Sequence, residues 1–523
     1  MRFCLALLAG LFTSVLCAQS QFDSLLTPLL DPAMKPFYFG VASGDPHQTT
    51  VIIWTKVWNE NGKPVKVKWQ VATDTTMQQI VAEDEVTSTA GSAYTVKVNV
   101  KGLKAGTIYF YRFSTGGVYS PIGRTKTAPE GDAESLRFAV VSCNHYEGGY
   151  FNAYRLIANR NDIDAVIHLG DYIYEYGANS KNKKSVIRLH IPTHEIVSLT
   201  DYRSRYAQYR LDKDLQEAHR LHPFITEWDD HEFANNTYKE GAGNHQLDKD
   251  GDWEERKGIA RKVYFEWLPI TDNDKSSIIR KMNYGGLAEV FMLDGRVEGR
   301  CKQLDSPQDT LLSCETRTML GKEQSDWLTE GMKTSTARWK VMANQVVFSE
   351  MDAHKLSKKY AINADAWDGY PVERKAILDS FYHYNIKNII VITGDIHLSW
   401  GFDLVQNPKN KERYNRKTGK GVIGAEFVTP SISTNGLGER FPRGLCNLIG
   451  SIVKQKGSNP HLRFQNLVDH GYMVLDLNKE RAQATWNFCK TIRKPSTRFK
   501  AKDTWMTKYN DNKLVKVIAP KNK

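Results

Sequence analysis

Ala165-Val166-Ile167-His168-Leu169-Gly170-Asp171-Tyr172-Ile173-Tyr174 is the stretch that decides the fold. Residues 165–169 are dense in aliphatic side chains and contain no turn residue, as a strand covered on both faces requires. Gly170-Asp171 then stops the run and begins a loop that carries potential cation ligands. Three other runs end in the same way. Residues 136–141 lead into Ser142-Cys143-Asn144-His145, 223–227 into Trp228-Asp229-Asp230-His231-Glu232, and 388–393 into Gly394-Asp395-Ile396-His397. Open α/β sheets place their sites outside the carboxyl ends of the strands. Neighbouring strands would therefore bring all four motifs to one rim of one sheet, the arrangement of a multi-metal hydrolase.

Outward from these motifs, strand-like and helix-like segments alternate. Helical patterns are expected over 151–160, 202–215, 254–267, 321–332 and 371–384, and further buried strands over 289–293 and 340–347. This predicts an α/β catalytic domain over 135–490. Residues 36–127 read instead as a β-sandwich. Val51-Ile52-Ile53-Trp54, 65–71, 94–100 and 108–113 are rich in β-branched and aromatic residues, with turn signals at Asn61-Gly62, Ala105-Gly106 and Gly116-Gly117. Ala128-Pro129-Glu130-Gly131-Asp132 is the expected linker, and residues 19–35 a loosely packed leader.

The termini set the cellular context. Residues 1–18 hold one Arg, an apolar stretch from Leu5 to Leu16 and a small residue at Ala18, the pattern of a signal peptide. That stretch is shorter than the roughly 20 residues a membrane span needs. The chain is therefore expected to be exported, as a periplasmic, secreted or cell-surface protein, with no transmembrane segment. Of seven cysteines, Cys4 and Cys17 fall in the signal, so Cys143, Cys301, Cys314, Cys446 and Cys489 remain. An odd number leaves at least one thiol unpaired, and Cys143 inside a ligand motif is the choice. Cys301 and Cys314 could close a short disulfide loop.

The chain of 523 residues carries 71 Lys and Arg against 59 Asp and Glu, a net charge of +12. Residues 490–523 alone hold eleven Lys and Arg and two Asp. The segment 491–523 is expected as a basic tail, either a solvated strap or an attraction to anionic polymers or a cell surface. Its aromatic residues are too sparse to indicate a specific nucleic-acid site.

The motif chemistry points to mixed cations. A carboxylate such as Asp171 can bridge two ions, and a tyrosinate at Tyr174 with a thiolate at Cys143 suits Fe(III). Asp395 and His397 share one side of their strand exit, and Asp230 and His231 add a carboxylate and an imidazole. Such a set fits one Fe(III)-like ion beside harder ions such as Ca(II). Bound together, the ions would neutralise phosphate oxygens and lower the pKa of a water, while an imidazole protonates the leaving alkoxide.

Longer stretches carry a resemblance to a known family. They include Phe39-Gly40-Val41-Ala42-Ser43-Gly44-Asp45-Pro46, Gly170-Asp171-Tyr172-Ile173-Tyr174-Glu175-Tyr176-Gly177, Leu293-Asp294-Gly295-Arg296, Trp367-Asp368-Gly369-Tyr370-Pro371 and His470-Gly471-Tyr472. From about Phe37 to about Cys489 the chain resembles the PhoD-like alkaline phosphatases, a branch of the metallophosphatases. The resemblance implies a layered α/β catalytic domain behind an N-terminal β-sandwich, and alkaline hydrolysis of phosphate monoesters or diesters at an Fe(III)–Ca(II) cluster. It implies that Cys143, Asp171, Tyr174 and His397 hold iron, and that Asp171 bridges to calcium held by Asp230 and Asp395. His231 would contact the phosphate and be the proton donor, with Asn144 and Arg296 orienting the phosphate or the shell around it. Small organic phosphate esters are the expected substrates. The alternatives are a phosphodiesterase acting on an anionic polymer such as teichoic acid, an inert phosphate-binding protein, and a Cys143–His145 nucleophilic hydrolase.

Overall fold

A computed structural model describes residues 26–179, 186–306, 308–357, 361–455 and 457–518. The expected signal peptide lies outside them. Three of the four decisive runs form parallel neighbours: Ser135–Val141 pairs with Ala165–Leu169, which pairs with Pro223–Glu227. They occupy the middle of a ten-stranded sheet. The fourth run, Ile389–Thr393, lies in a different, seven-stranded sheet between Trp339–Ala343 and Gly424–Val428. The expectation of one rim on one sheet is therefore corrected to two sheets packed face to face.

Side-chain alternation explains the layering. Phe138, Val140, Ile167, Leu169 and Ile225 point to the inner core between the sheets, where they meet Val290, Met292, Val341, Ile390, Ile392 and Phe427. The intervening Ala139, Val141, Val166 and Phe224 point outward under helices Asn152–Ala158, Leu199–Arg210, Lys213–Leu221 and Trp253–Trp267. On the second sheet Phe291, Met342, Ile389 and Val391 pack under Gly321–Thr334 and Pro371–His383. The order is helices, sheet, sheet, helices, with both sheets buried on both faces. The helix expected over 202–215 is two helices, because Asp212 accepts bonds from the Asp214 and Leu215 amides and starts a second one.

The N-terminal sandwich is present but not set apart by a break in the sheet. Its first sheet, Val41–Gly44, Val51–Lys56 and Thr95–Val100, continues the ten-stranded sheet through parallel pairing of Val41–Gly44 with Pro223–Glu227. Val41, Val51 and Ile53 face Val67, Val71, Tyr111 and Phe113 of the second, five-stranded sheet. Ala42 and Trp54 face the catalytic helices instead. Leu26 of the leader is fully buried, and most of the residues from Thr27 to Lys35 are exposed.

The basic tail needs correction too. Phe499–Lys508 pairs antiparallel along Arg481–Cys489, and Val515–Lys516 adds an outer rung. Lys500, Lys502 and Lys508 are exposed along this edge. Charges there protect an edge strand against pairing with another chain.

Candidate active site

Each motif turns sharply where its strand stops. Cys143, Asp171 and Asp395 are all the second residue beyond a strand, and all are left-handed, with φ of +62°, +57° and +62°. His397 is left-handed as well, at +56°. A side chain in this region costs about 1–2 kcal/mol, so the surrounding bonds must hold it. The Cys143 and Asn144 amides donate to the carbonyls of Gly170 (3.2 Å) and Asp171 (2.9 Å), tying two motifs together. Two glycines permit the approach. A Cβ on Gly170, at φ +90°, would sit 2.4 Å from Asp229 Cβ. One on Gly394 would sit 2.7 Å from Ser142 Oγ, across the two sheets.

Donor atoms converge as a result. Cys143, Asp171 and His397 form one group, Asp171, Asp230 and His231 a second, and Asp229, Asp230 and Asp395 a third, each with ligand atoms within 4.8 Å of one another. Tyr174 Oη donates to Asp171 Oδ2 at 2.7 Å. All six expected metal residues thus share one rim with His231. Asp171 belongs to two groups, as a bridging carboxylate must.

The electrostatics fit cations. Asp171 Oδ1, Asp229 Oδ2 and Asp230 Oδ1 are buried without a hydrogen-bond partner, an arrangement that costs free energy unless an ion completes it. Burial, then Asp171, pushes the Cys143 thiol well above its usual pKa, and burial with Asp171 and Cys143 does the same to Tyr174. Asp395 is raised by burial, Asp229 and Asp365. Anions crowded together in this way are stabilised by a multivalent cation. The raised thiol pKa, with Cys143 Sγ bonded to Ser142 Oγ (3.3 Å), is the opposite of what a cysteine nucleophile needs.

Histidine roles follow from their partners. His397 Nδ1 donates to the Asn435 carbonyl (3.2 Å), leaving Nε2 free to face a cation. Burial, with His231 and His470 nearby, lowers its pKa to about 3, so the ring is neutral. His231 differs. Its Nδ1 lies 2.7 Å from Glu175 Oε2. Burial alone would lower it, but Asp230, Glu175 and Asp171 outweigh burial and hold its pKa well above the ordinary value. Glu175 is itself fully buried and accepts from the Asn235 amide (2.7 Å) and Asn244 Nδ2 (3.2 Å).

Of the two roles expected for Asn144 and Arg296, orienting the phosphate or the shell around it, their contacts favour the shell. Asn144 is fully buried: it donates to the Tyr172 carbonyl (3.2 Å), accepts from Tyr154 Oη (2.9 Å) and meets His168 Nε2 (3.2 Å). Its side chain braces the loop beneath the ligands. Arg296 is also fully buried, bonded to Asp229 and to both oxygens of Asp365 (2.9 and 3.0 Å), with Asp395 at 3.5 Å and Asp230 at 3.7 Å. It holds the carboxylate wall of the site together. Sequence reading assigned no role to Glu175, Asp229, Glu232, Asp365, Thr434 or Asn435. Glu232 accepts from the amides of Asp171 (3.1 Å), Tyr172 (2.6 Å) and Asp229 (2.8 Å) and so fixes two motifs at once. Glu175, Asp229 and Glu232 stand inside the quoted motifs, a signal that could have found them. Asp365, Thr434 and Asn435 had none.

Residues 138–486 match the PhoD-like phosphatase family, and residues 26–129 match the N-terminal domain of PhoD-like phosphatases. The chain belongs to the PhoD-like phosphatase family. Alkaline phosphatase D of Bacillus subtilis (strain 168) is 34% identical to it across 98% of this chain and 87% of the relative. A solved structure of PhoD superposes with a TM-score of 0.83 at 32% identity, over 94% of this chain and 93% of that one. The chain is accordingly an alkaline phosphatase D-like phosphoric ester hydrolase, and phosphate esters are its substrates.

Proposed function

We propose that this PhoD-like phosphatase is an exported enzyme that hydrolyses phosphate monoesters and diesters at an Fe(III)/Ca(II) cluster. The observation that carries this reading is the meeting of three buried carboxylate oxygens that accept no hydrogen bond with a thiol, a phenol and a neutral imidazole at one rim. The soft and phenolic donors suit Fe(III), and the carboxylates suit Ca(II). Cys143, Asp171, Tyr174 and His397 would hold iron, and Asp171, Asp230 and Asp395, joined by Asp229, the calcium side. When bound, such a cluster neutralises phosphate charge and lowers the pKa of a water.

The protein's own groups do the rest. His231 stacks 4.1 Å from the Tyr174 ring, with Nδ1 fixed on Glu175, so Nε2 is the atom left to protonate the departing alkoxide. Arg296 keeps Asp229, Asp230 and Asp395 from spreading under their mutual repulsion. Metal analysis of the purified protein, alongside hydrolysis of a chromogenic monoester and diester at alkaline pH, tests the proposal. Iron with calcium, and activity lost on chelation, is the expected result. Asp171→Asn should abolish turnover and iron retention together. A fully active Asp171→Asn, or an active protein free of both metals, overturns the assignment.

A further inference from the structure

Helix Arg443–Val453 carries one broad apolar arc, buried along one side and open along the other, with Arg443, Asn447 and Ser451 on its polar face. Cys446, Gly450 and Val453 are buried, and with Ile449 they pack on the core outside the seven-stranded sheet. The other side of the arc is open. Leu445 is 42% exposed and Leu448 57%, and the stripe runs back to Phe441 at 41% and forward to half-buried Ile452. Steps of three and four residues put Leu445, Leu448 and Ile452 on one side of the helix, and Phe441 precedes it on extended backbone. A surface helix normally turns its apolar arc to the core, and here part of that arc stays in the open. Most other exposed large apolar residues, such as Leu247 or Leu311, are scattered along the chain, and single ones need no explanation.

Cations frame the stripe. Arg440 and Arg443 are exposed at its start. Arg443 shares the Asp469 carboxylate with Lys500, which follows Phe499, itself 46% exposed, on the basic edge strand. Arg498 and Lys502 are exposed beside it in sequence. Asp469 between Arg443 and Lys500 leaves one net positive charge on that trio, and Glu439 is paired with His470 at 3.0 Å. Apolar side chains rimmed by Lys and Arg are the composition of an element that lies in a lipid headgroup layer.

We propose that this face docks on an anionic lipid surface, with Phe441, Leu445 and Leu448 entering the headgroup layer and Arg440, Arg443, Lys500 and Lys502 meeting its charge. A second copy of the chain fits less well. Such a contact would bring two cationic rims together in a protein of net charge +12. Four partly exposed side chains also fall well short of the roughly 800 Å² per partner of a stable dimer. The stripe begins close to the site. Thr434 touches Tyr174 at 2.7 Å, the Asn435 carbonyl accepts from His397, and the short helix Leu437–Arg440 leads directly to Phe441. Docking therefore brings the rim of the site near phosphate groups carried on that surface. This consequence rests on the phosphatase reading; the docking itself does not.

The test is co-sedimentation of the full chain with vesicles of phosphatidylcholine, alone or mixed with phosphatidylglycerol. Binding is expected to the mixed vesicles, to weaken with salt, and to be nearly absent on phosphatidylcholine alone. Leu445→Ser/Leu448→Ser should lower partitioning on the order of tenfold or more, and Phe441→Ser, outside the helix, should lower it less. Hydrolysis of a soluble chromogenic monoester should stay unchanged in each, which separates failure of docking from failure of catalysis. A wild-type chain that stays in the supernatant overturns the proposal. So does a wild-type dimer that the double substitution turns into a monomer, because the stripe would then be covered by a second copy.

Discussion

Glu175→Gln isolates the proton donor. In the wild type one Glu175 oxygen serves His231 Nδ1 at 2.7 Å, and the other accepts from the Asn235 amide and Asn244. A glutamine has one accepting oxygen, so it can satisfy His231 or Asn235 but not both. It also removes the buried negative charge that helps hold His231 as an imidazolium. A hydrogen bond to a charged group is worth about 1.5–3 kcal/mol. Losing it lowers the His231 pKa, because Glu175 is one of the charges that hold it up. The sign follows from the wild-type shift. His231 is raised above its ordinary value, so the acid form is present below that pKa and lost as pH rises through it. The substitution therefore moves the alkaline limb of kcat towards neutrality. The cost depends on the leaving group. An alkyl phosphate needs its alkoxide protonated and should slow about ten- to a hundredfold. A nitrophenyl phosphate, whose leaving group is stable as an anion, should slow by no more than about threefold. Paired pH–rate profiles on the two esters are the assay. Equal losses on both esters, or an alkaline limb that does not move, would refute His231 as the acid and Glu175 as its support.

Two further substitutions test the scaffold under the ligands. Asn144→Ala strips a buried partner from Tyr154, His168 and the Tyr172 carbonyl and should lower the unfolding free energy by about 2–4 kcal/mol; a urea transition shifted by less than about 1 kcal/mol would contradict the bracing role. Gly170→Ala places a methyl group 2.4 Å from Asp229 Cβ in a left-handed turn and should cost at least about 2 kcal/mol while lowering metal content, which metal analysis of the folded fraction reads directly.

Much of the architecture is legible in the chain. Residues 165–169 and 389–393 read as doubly covered strands, and both are fully buried. The ligand motifs follow from the same reading, since a strand that stops at Gly-Asp must release its next polar residues at the sheet's rim. The helix over residues 254–267 was legible within a residue of its observed Trp253–Trp267 span. Other features were hidden for identifiable reasons. An aliphatic run states that both faces are covered, but not whether a helix or another sheet covers them, so the assignment of Ile389–Thr393 to a second sheet had no local signal. Sequence gives adjacency and not direction, so it left open whether Asn144, next to Cys143, faces the phosphate or the shell around it; its side-chain amide lies on the buried Tyr154–His168 side. The strand Phe499–Lys508 was hidden by its lysines, which an edge strand can keep because one side of it faces water.

What the sequence by itself determined is the family, together with a set of candidate donors. Cys143, Asp171, Tyr174, Asp230, His231, Asp395 and His397 could be named because metal chemistry restricts the residue types and strand ends restrict their places. Only the tertiary structure decided how they are held. Glu175 behind His231, Glu232 beneath three amides, and Arg296 among four carboxylates come from segments far apart in the chain. Their roles arise from burial, where a charge must find a partner, and burial is a property of the folded chain rather than of any local stretch of it.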